Sequence, residues 1–273
     1  MRLPAPTDRL YCPQQGGSLG DRARLVAGLA CFALACTGAS FTIAAGLAFV
    51  ARRRRQRFAR MVISRMFRAY FQAMEAMGCL RLDLGALDNL RDAAPLVIAP
   101  NHPSMIDAGL VLSRLPDLPC IMKTEILDSI LFGTGARSAG YIASQPPRAM
   151  LRGAVESLAS GCHVLLFPEG TRTHTPPVNA LQRTVGLIAR QARVPVQTVF
   201  IECNTGFLGK GWALSRLPVM PMVYQVRLGR RFEAPDDPHA FAVQLQEYFQ
   251  TELASAMAAG EREPAELRQT GTQ

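Results

Sequence analysis

The chain has 273 residues, of which 49% are hydrophobic, and a formal net charge of +9. This length allows one large domain plus an appendage. Six arginines lie between residues 52 and 60, and removing their six charges from +9 leaves only +3 for the rest of the chain. Nucleic-acid-binding proteins usually spread positive charge over a face or a recognition element, so this block beside an apolar segment argues against nucleic acid and indicates a membrane.

The N-terminal region divides into two segments. Residues 1–21 are rich in proline and glycine and lack periodicity, which predicts disorder. Residues 22–51 carry no charge from position 25 onward. That run exceeds the roughly 20 residues that span a bilayer and predicts a transmembrane helix. A signal peptide would have a shorter apolar core with its charges before it, and a buried core helix is a further interpretation of the same run.

The arginine block follows the apolar segment, and positive charge favours the cytoplasmic side of a membrane. We therefore expect a single-pass protein of the cell inner membrane with its main domain in the cytoplasm. Residues 52–78 continue as a basic amphipathic pattern, which predicts an interfacial helix with arginines at anionic headgroups. The same pattern is also typical of a first core helix that covers a sheet, and the two interpretations are compatible.

The seven cysteines are an odd number and include no CxxC pair. They predict reduced thiols in a protein that faces the cytosol. Without the spacing that metal ligands need, no metal site is expected.

From residue 79 to 259, apolar strands alternate with helical patterns, and residues 260–273 predict a flexible tail. This alternation predicts a single α/β domain with a largely parallel mixed sheet flanked by helices. The predicted strands are 81–84, 96–99, 119–122, 140–143, 163–167, 196–201 and 220–228. The predicted helices are 106–115, 124–136, 147–159, 179–192 and 238–258.

The first candidate motif is the stretch NHPSMID, from Asn101 to Asp107, which follows a predicted buried strand and precedes a helix. α/β proteins usually keep their chemistry at such strand ends. Positions five apart on a regular helix diverge by about 140°, so His102 and Asp107 meet only if the turn is broken between them, and Pro103 suits that break. The carboxylate would then bind one ring nitrogen and leave the other free as a base.

The second candidate motif, PEGTRT, follows the predicted strand 163–167 and should open at the same edge of the sheet. Glu169 offers an acceptor, Gly170 permits close backbone approach, and Arg172 is a planar donor suited to phosphate or carboxylate. A third stretch, 204–212, carries aromatic residues and a lysine. It predicts either an insertion into the membrane interface or acyl groove, or a connection packed on the domain.

At these residues the chain resembles the glycerolipid acyltransferases, the family of the lysophosphatidic acid acyltransferase. His102 and Asp107 match its HxxxxD block, and residues 167–172 match its FPEGTR block without a change. The resemblance covers about residues 80–230. It implies transfer of an acyl chain from acyl-CoA or acyl carrier protein to a hydroxyl of a lysolipid such as 1-acylglycerol 3-phosphate. No other cofactor is implied, and the oligomeric state stays open.

The resemblance also implies residue roles. His102 is the general base, Asp107 orients it, and the acceptor is bound by five residues: Asn101, Glu169, Gly170, Thr171 and Arg172. Ser104 is a nucleophile by residue type only. The chain departs from the family at Ser144-Gln145, where an arginine is expected, and at Thr198, where a proline is expected.

These departures leave the acceptor open. A specialised lipid, such as an aryl polyene lipid, could take the place of a glycerol-phosphate acceptor. Two further hypotheses change the activity itself: an acyl-ester hydrolase that uses the same base, and a non-catalytic membrane assembly factor that retains the fold.

Overall fold

The computed structural model describes residues 18–129, 133–213 and 216–269. Its helices are α1 Leu19–Gly46, α2 Arg55–Ala76, α3 Asp107–Arg114, α4 Thr124–Leu127, α5 Gly133–Ser138, α6 Pro147–Ala159, α7 Thr184–Ala192 and α8 Pro238–Gln269. Its strands are β1 Leu80–Asp83, β2 Val97–Pro100, β3 Ile121–Met122, β4 Ile142–Ala143, β5 Val164–Leu165, β6 Val196–Cys203 and β7 Met222–Phe232.

The strands form a largely parallel mixed sheet, which confirms the predicted fold class. Five strands follow the order β1-β7-β6-β2-β5, and a second pair, β3-β4, is joined to β5 by a parallel bridge between Cys120 and Leu165. Among the described strand pairs, β6 and β7 are antiparallel and the others are parallel. Every residue of β2 is buried, as expected for a central strand covered by helices on both faces.

The two faces of the sheet belong to two hydrophobic clusters. Ile98 belongs to the cluster that includes residues of α1, α2 and α3. Val97 and Ala99 belong to the other cluster, together with residues of α6, α7 and α8. This alternation follows from the two-residue repeat of a strand, which sends successive side chains to opposite faces.

The first helix begins and ends earlier than its composition predicts. Ser18 and Asp21 form a reciprocal capping box that starts α1 at Leu19, and the helix ends at Gly46 instead of continuing to 51. The prediction of disorder up to 21 is therefore wrong at its last residues, while residues 1–17 lie outside the described residues. By length and apolar composition alone, α1 could cross a membrane.

Helix α1 packs along α2. Phe32 lies 6.4 Å from the Phe67 ring and 5.0 Å from the Tyr70 ring, measured between centroids. The buried face of α2 in turn joins the core below the sheet, where Phe71 and Met74 are each 3% exposed. Burying one such side chain contributes about 1.5–3 kcal/mol. The interpretation of α2 as a helix that covers the domain is therefore supported by its packing.

Several predicted boundaries move because of tertiary contacts. The predicted helix 124–136 consists of α4 and α5, with residues 130–132 outside the described part of the chain. Strand β7 extends to Phe232 because it pairs with β6 along most of its length. The expected flexible tail from 260 is helical up to Gln269 as part of α8, and residues 270–273 lie outside the described residues.

Candidate active site

The two motifs lie at neighbouring strand ends. Strands β2 and β5 are parallel and directly paired, with Ile98 opposite Leu165. Their carboxyl ends therefore open at one edge of the sheet, where the turn that carries His102 and the turn that carries Glu169 and Arg172 meet. This is the arrangement that the sequence predicts.

His102 and Asp107 are in contact across the turn. The Nδ1 atom of His102 lies 2.9 Å from Oδ2 of Asp107. Helix α3 begins only at Asp107, so the residues between them are free to fold back. The Ser104 backbone N–H donates to the same Asp107 oxygen at 2.7 Å. The other ring nitrogen of His102, Nε2, has no hydrogen-bond partner among the described residues.

The surroundings of this pair are apolar. The His102 ring stacks on the Phe167 ring, with 3.9 Å between centroids and 23° between planes. The His102 side chain is 17% exposed and the Asp107 side chain is fully buried. Burial raises the pKa of the Asp107 carboxyl, while the bonds from His102 and from the Ser104 N–H oppose that shift. An imidazole held at one nitrogen and open at the other is suited to general base chemistry.

Glu169 points into the protein and holds the backbone of the first motif. Its Oε1 atom accepts from the His102 N–H at 2.8 Å and from the Thr173 hydroxyl at 2.8 Å. Its Oε2 atom accepts from the Asn179 N–H at 2.9 Å. The Thr173 N–H completes the link by donating to the His102 carbonyl at 2.7 Å. Burial raises the pKa of Glu169, and these bonds oppose the shift.

Asn101 ties the end of β2 to β6. Its Nδ2 donates to the Ile201 carbonyl at 3.0 Å, and its Oδ1 accepts from the Ile201 N–H at 2.7 Å. Both polar ends of the side chain are thus used by the protein, and Asn101 is only 4% exposed. Asn101 and Glu169 therefore bind the protein in this structure, although the family resemblance assigns them to the acceptor.

The remaining residues of the second motif are more open. Arg172 is half-buried, and its Nη1 atom donates to the carbonyls of Leu208 and Gly209 at 2.8 and 3.0 Å. Its Nη2 and Nε atoms have no hydrogen-bond partner among the described residues. Gly170 is exposed and has φ of +66°, which a side chain would strain, and Thr171 is half-buried. The free guanidinium nitrogens are thus among the donors of this turn that have no partner among the described residues.

Sequence reasoning missed the residues that support the motifs. Thr173 and Asn179 both bind Glu169, and Ser104 donates its hydroxyl to the Phe207 carbonyl at 2.8 Å. Because Ser104 is 1% exposed and its hydroxyl already donates, its placement does not support a role as nucleophile. The only local signal was the polar run after the second motif, since the Ser104 contact spans 103 residues.

The chain is similar to known acyltransferases in sequence and in fold. Residues 81–202 match the family model described as Acyltransferase. Over 225 residues the chain is 26% identical to the 1-acyl-sn-glycerol-3-phosphate acyltransferase of Pseudomonas aeruginosa, covering 80% of this chain and 83% of that protein. It is 28% identical over 139 residues to the alpha form of that enzyme from Mus musculus, covering 48% of each.

A solved structure shares the fold. The crystal structure of the 1-acyl-sn-glycerophosphate (LPA) acyltransferase PlsC from Thermotoga maritima matches with a TM-score of 0.64. The match covers 86% of this chain and 98% of that chain, at 20% sequence identity. At this identity the likeness shows the fold alone.

Proposed function

We propose that the chain, whose residues 81–202 match the Acyltransferase family model, transfers an acyl group from acyl-CoA or acyl carrier protein to the hydroxyl of a lysolipid such as 1-acylglycerol 3-phosphate. The observation that carries this proposal is the His102–Asp107 pair at 2.9 Å, with the second ring nitrogen of His102 open. Relatives named for this reaction support the acceptor class.

The reaction needs no covalent enzyme intermediate. Nε2 of His102 takes the proton of the acceptor hydroxyl as its oxygen attacks the thioester carbonyl. The tetrahedral intermediate then collapses, the carbon–sulfur bond breaks, and the imidazolium returns the proton to the leaving thiolate. The buried carboxylate of Asp107 holds the ring by Nδ1 and stabilises its positive charge in between.

The acceptor headgroup is proposed to lie against Arg172. Its unpartnered nitrogens form a planar donor fork that fits a phosphate oxygen pair. Gly170 and Thr171 belong to the same half-open turn. Since Ser144 and Gln145 replace a cation that the family resemblance leads one to expect, a specialised lipid without glycerol phosphate is the second candidate acceptor. An assay that offers both acceptor types at equal concentration distinguishes them by kcat/KM.

Membrane attachment through α1 is part of the same proposal. The outer face of α1 exposes large apolar side chains, with Val26 65%, Leu34 74% and Phe41 75% exposed. The arginines that follow α1 favour an inner-membrane protein with its domain on the cytoplasmic side. Burial of this face in lipid should survive a high-salt wash, since salt screens charges but not apolar transfer. Release of the protein into the supernatant would contradict this attachment.

The orientation of α1 is constrained by its packing. It contacts α2 from Gly28, beside Met74, to Gly46, beside Phe58. If α1 spans the membrane, either it separates from α2 or α2 enters the membrane together with it. Protease accessibility of an N-terminal tag in sealed inverted vesicles separates the outcomes. Protection supports the single-pass orientation proposed above, whereas cleavage shows that both ends of α1 stay on the cytoplasmic side.

The central experiment measures transfer of a labelled acyl chain to the lysolipid in membranes that contain the protein or its His102→Ala variant. We expect the variant to lose about 10³-fold in kcat, because the base is removed. Free fatty acid formed without lysolipid would indicate the hydrolase. Equal cellular phenotypes of variant and parent would indicate the assembly factor.

A further inference from the structure

Residues 207–209, which we call the strap, contact both strand-end turns. The Phe207 carbonyl accepts from the Ser104 hydroxyl at 2.8 Å. The Leu208 carbonyl accepts from the Met105 N–H at 3.1 Å and from Arg172 at 2.8 Å, and the Gly209 carbonyl accepts from Arg172 at 3.0 Å. The same three residues thus connect the NHPSMID turn to the arginine of the second motif.

The backbone of the strap is held in one conformation. Leu208 has φ of +56°, which is uncommon for a residue with a side chain and occurs where the surroundings impose it. The Phe207 side chain is 5% exposed, and its N–H donates to the Thr205 hydroxyl at 3.2 Å. A Cβ atom at Gly209 would lie 2.9 Å from the Gly206 carbonyl oxygen and 3.4 Å from that of Pro103. A displacement of the strap therefore also displaces the groups bonded to it, which are the NHPSMID turn and Arg172.

We propose that the strap is a positioning element that couples Arg172 to the catalytic pair, with Ser104 as a positioning residue; this inference rests on the proposed acyl transfer. Leu208 supplies one carbonyl oxygen to both the guanidinium of Arg172 and the backbone of the NHPSMID turn. In that turn the Ser104 N–H holds Oδ2 of Asp107, the oxygen that orients His102. When a headgroup anion fixes Arg172, the geometry of the base is fixed with it.

A double-mutant cycle tests the coupling on the full chain in membranes. Ser104→Ala removes the bond to Phe207, and Arg172→Lys keeps the charge but removes Nη1, the one guanidinium nitrogen that donates to both strap carbonyls. We expect each change to lower kcat about tenfold, and the double variant to lose about as much as the more severe single variant. Losses that multiply would overturn the proposal, because they would show that the two residues act independently.

Ser113→Ala is the matched control. Ser113 is also a buried serine of the same region, 2% exposed, and donates to the Leu110 carbonyl at 2.7 Å without contacting the strap. Its variant should keep kcat within about twofold of the parent. We also expect Ser104→Ala, but not Ser113→Ala, to change the pH profile of kcat, since only the former loosens Asp107. If the two variants changed kcat and its pH profile equally, Ser104 would have a structural role only.

A readout that needs no activity separates this inference from the proposed function. Trp212 is the sole tryptophan of the chain, and its ring lies 6.1 Å from that of Phe207, edge to face. Its fluorescence therefore reports on the strap even if no lysolipid is acylated. We expect a shifted emission maximum in Ser104→Ala and in Gly209→Ala, which crowds Gly206 and Pro103, but not in Ser113→Ala. Identical emission spectra in the parent and the three variants would contradict the proposed positioning role of the strap.

Discussion

The turns after β2 and β5 are neighbours on one edge of the sheet but use their polar side chains in opposite directions. The turn after β2 leaves one nitrogen of His102 open, 17% of its side chain being exposed. The turn after β5 directs Glu169 inward, where three donors bind its carboxylate and 3% of the residue remains exposed. One turn thus leaves a ring nitrogen open, and the other holds the backbone of that turn while two guanidinium nitrogens of its Arg172 stay without a partner among the described residues.

This difference teaches that two equally well-matched motifs need not contribute residues of the same kind. A carboxylate that accepts the backbone N–H of His102 acts through His102, because it fixes the backbone that carries the ring. In proteins such supporting contacts are needed to keep reacting groups within a fraction of an ångström. Asp107 and Glu169 variants test this division of roles, and a His163 variant at the opposite end of β5 provides a comparison without a site residue; they follow in order of decreasing effect.

Asp107→Asn should have the largest effect in this set. An amide presents a donor to Nδ1 of His102 and favours the wrong tautomer, so we expect kcat to fall about 10³-fold. Since burial raises the pKa of the Asp107 carboxyl, the charged form is unfavourable in the folded state. The same amide nitrogen would face the Ser104 N–H, and the loss of that bond opposes the gain from removing a buried charge. The free energy of unfolding at pH 7.5, measured by urea denaturation, should therefore change by less than about 2 kcal/mol. A large loss of stability would assign Asp107 a structural role.

Glu169→Gln should lower kcat less than Asp107→Asn does, and it should also lower the stability of the fold. The amide nitrogen faces one of the protein donors, so one hydrogen bond is lost and the unfolding free energy should fall by about 1–3 kcal/mol. We expect kcat to fall about tenfold with KM for the lysolipid unchanged, since Glu169 positions the base. A raised KM with kcat retained would instead place Glu169 on the acceptor, as the family resemblance implies. Glu156→Gln, at an exposed position of α6, is the control.

His163, at the opposite end of β5, should give the smallest effect, on stability alone. Its Nδ1 accepts from the Leu96 N–H at 3.1 Å and its Nε2 donates to the Leu90 carbonyl at 2.9 Å, which requires the neutral ring. Burial lowers the pKa of His163 in the folded protein. Below a pH of about 6.5, His163 therefore binds a proton in the unfolded chain while it stays neutral in the folded protein. The contribution of His163 to stability is therefore complete above that pH and declines as the pH falls.

The measurement compares the parent with His163→Gln by thermal unfolding at pH 8 and pH 5.5. At pH 8 we expect the variant to be less stable by about 1 kcal/mol, and the difference should shrink at pH 5.5. A difference that grows on acidification would show that the charged ring is the stabilising form.

Elements defined by local pattern were predicted closely. Helix α6 matches its predicted bounds of 147–159, and α3 differs from its predicted bounds by one residue at each end. Helix α7, in contrast, starts at Thr184 and not at 179, because the side chain and N–H of Asn179 are used by the loop around Glu169. Helical periodicity records which face is buried, but it does not record such competing long-range bonds.

The antiparallel pairing of β6 with β7 also escaped prediction. Both are apolar strands by pattern, and the chain between Cys203 and Met222 is long enough for either direction. A parallel β7 would require the connection to return along a face of the sheet, whereas here β7 begins at the end of the sheet where β6 finishes, with Cys203 opposite Tyr224. The burial of α1 against α2 likewise depends on close contacts, such as Gly28 beside Met74, that no local pattern records.

Local sequence patterns were enough to predict the two motifs, their order and their placement at strand ends. Strand and helix periodicity and the family resemblance depend only on neighbours along the chain. The folded structure was needed to show which of those side chains bind the protein itself and which keep polar atoms without a partner. Glu169, Asn101 and Ser104 meet their partners across 67 to 103 residues. The direction of a buried hydrogen bond is set by where the folded chain places its donor.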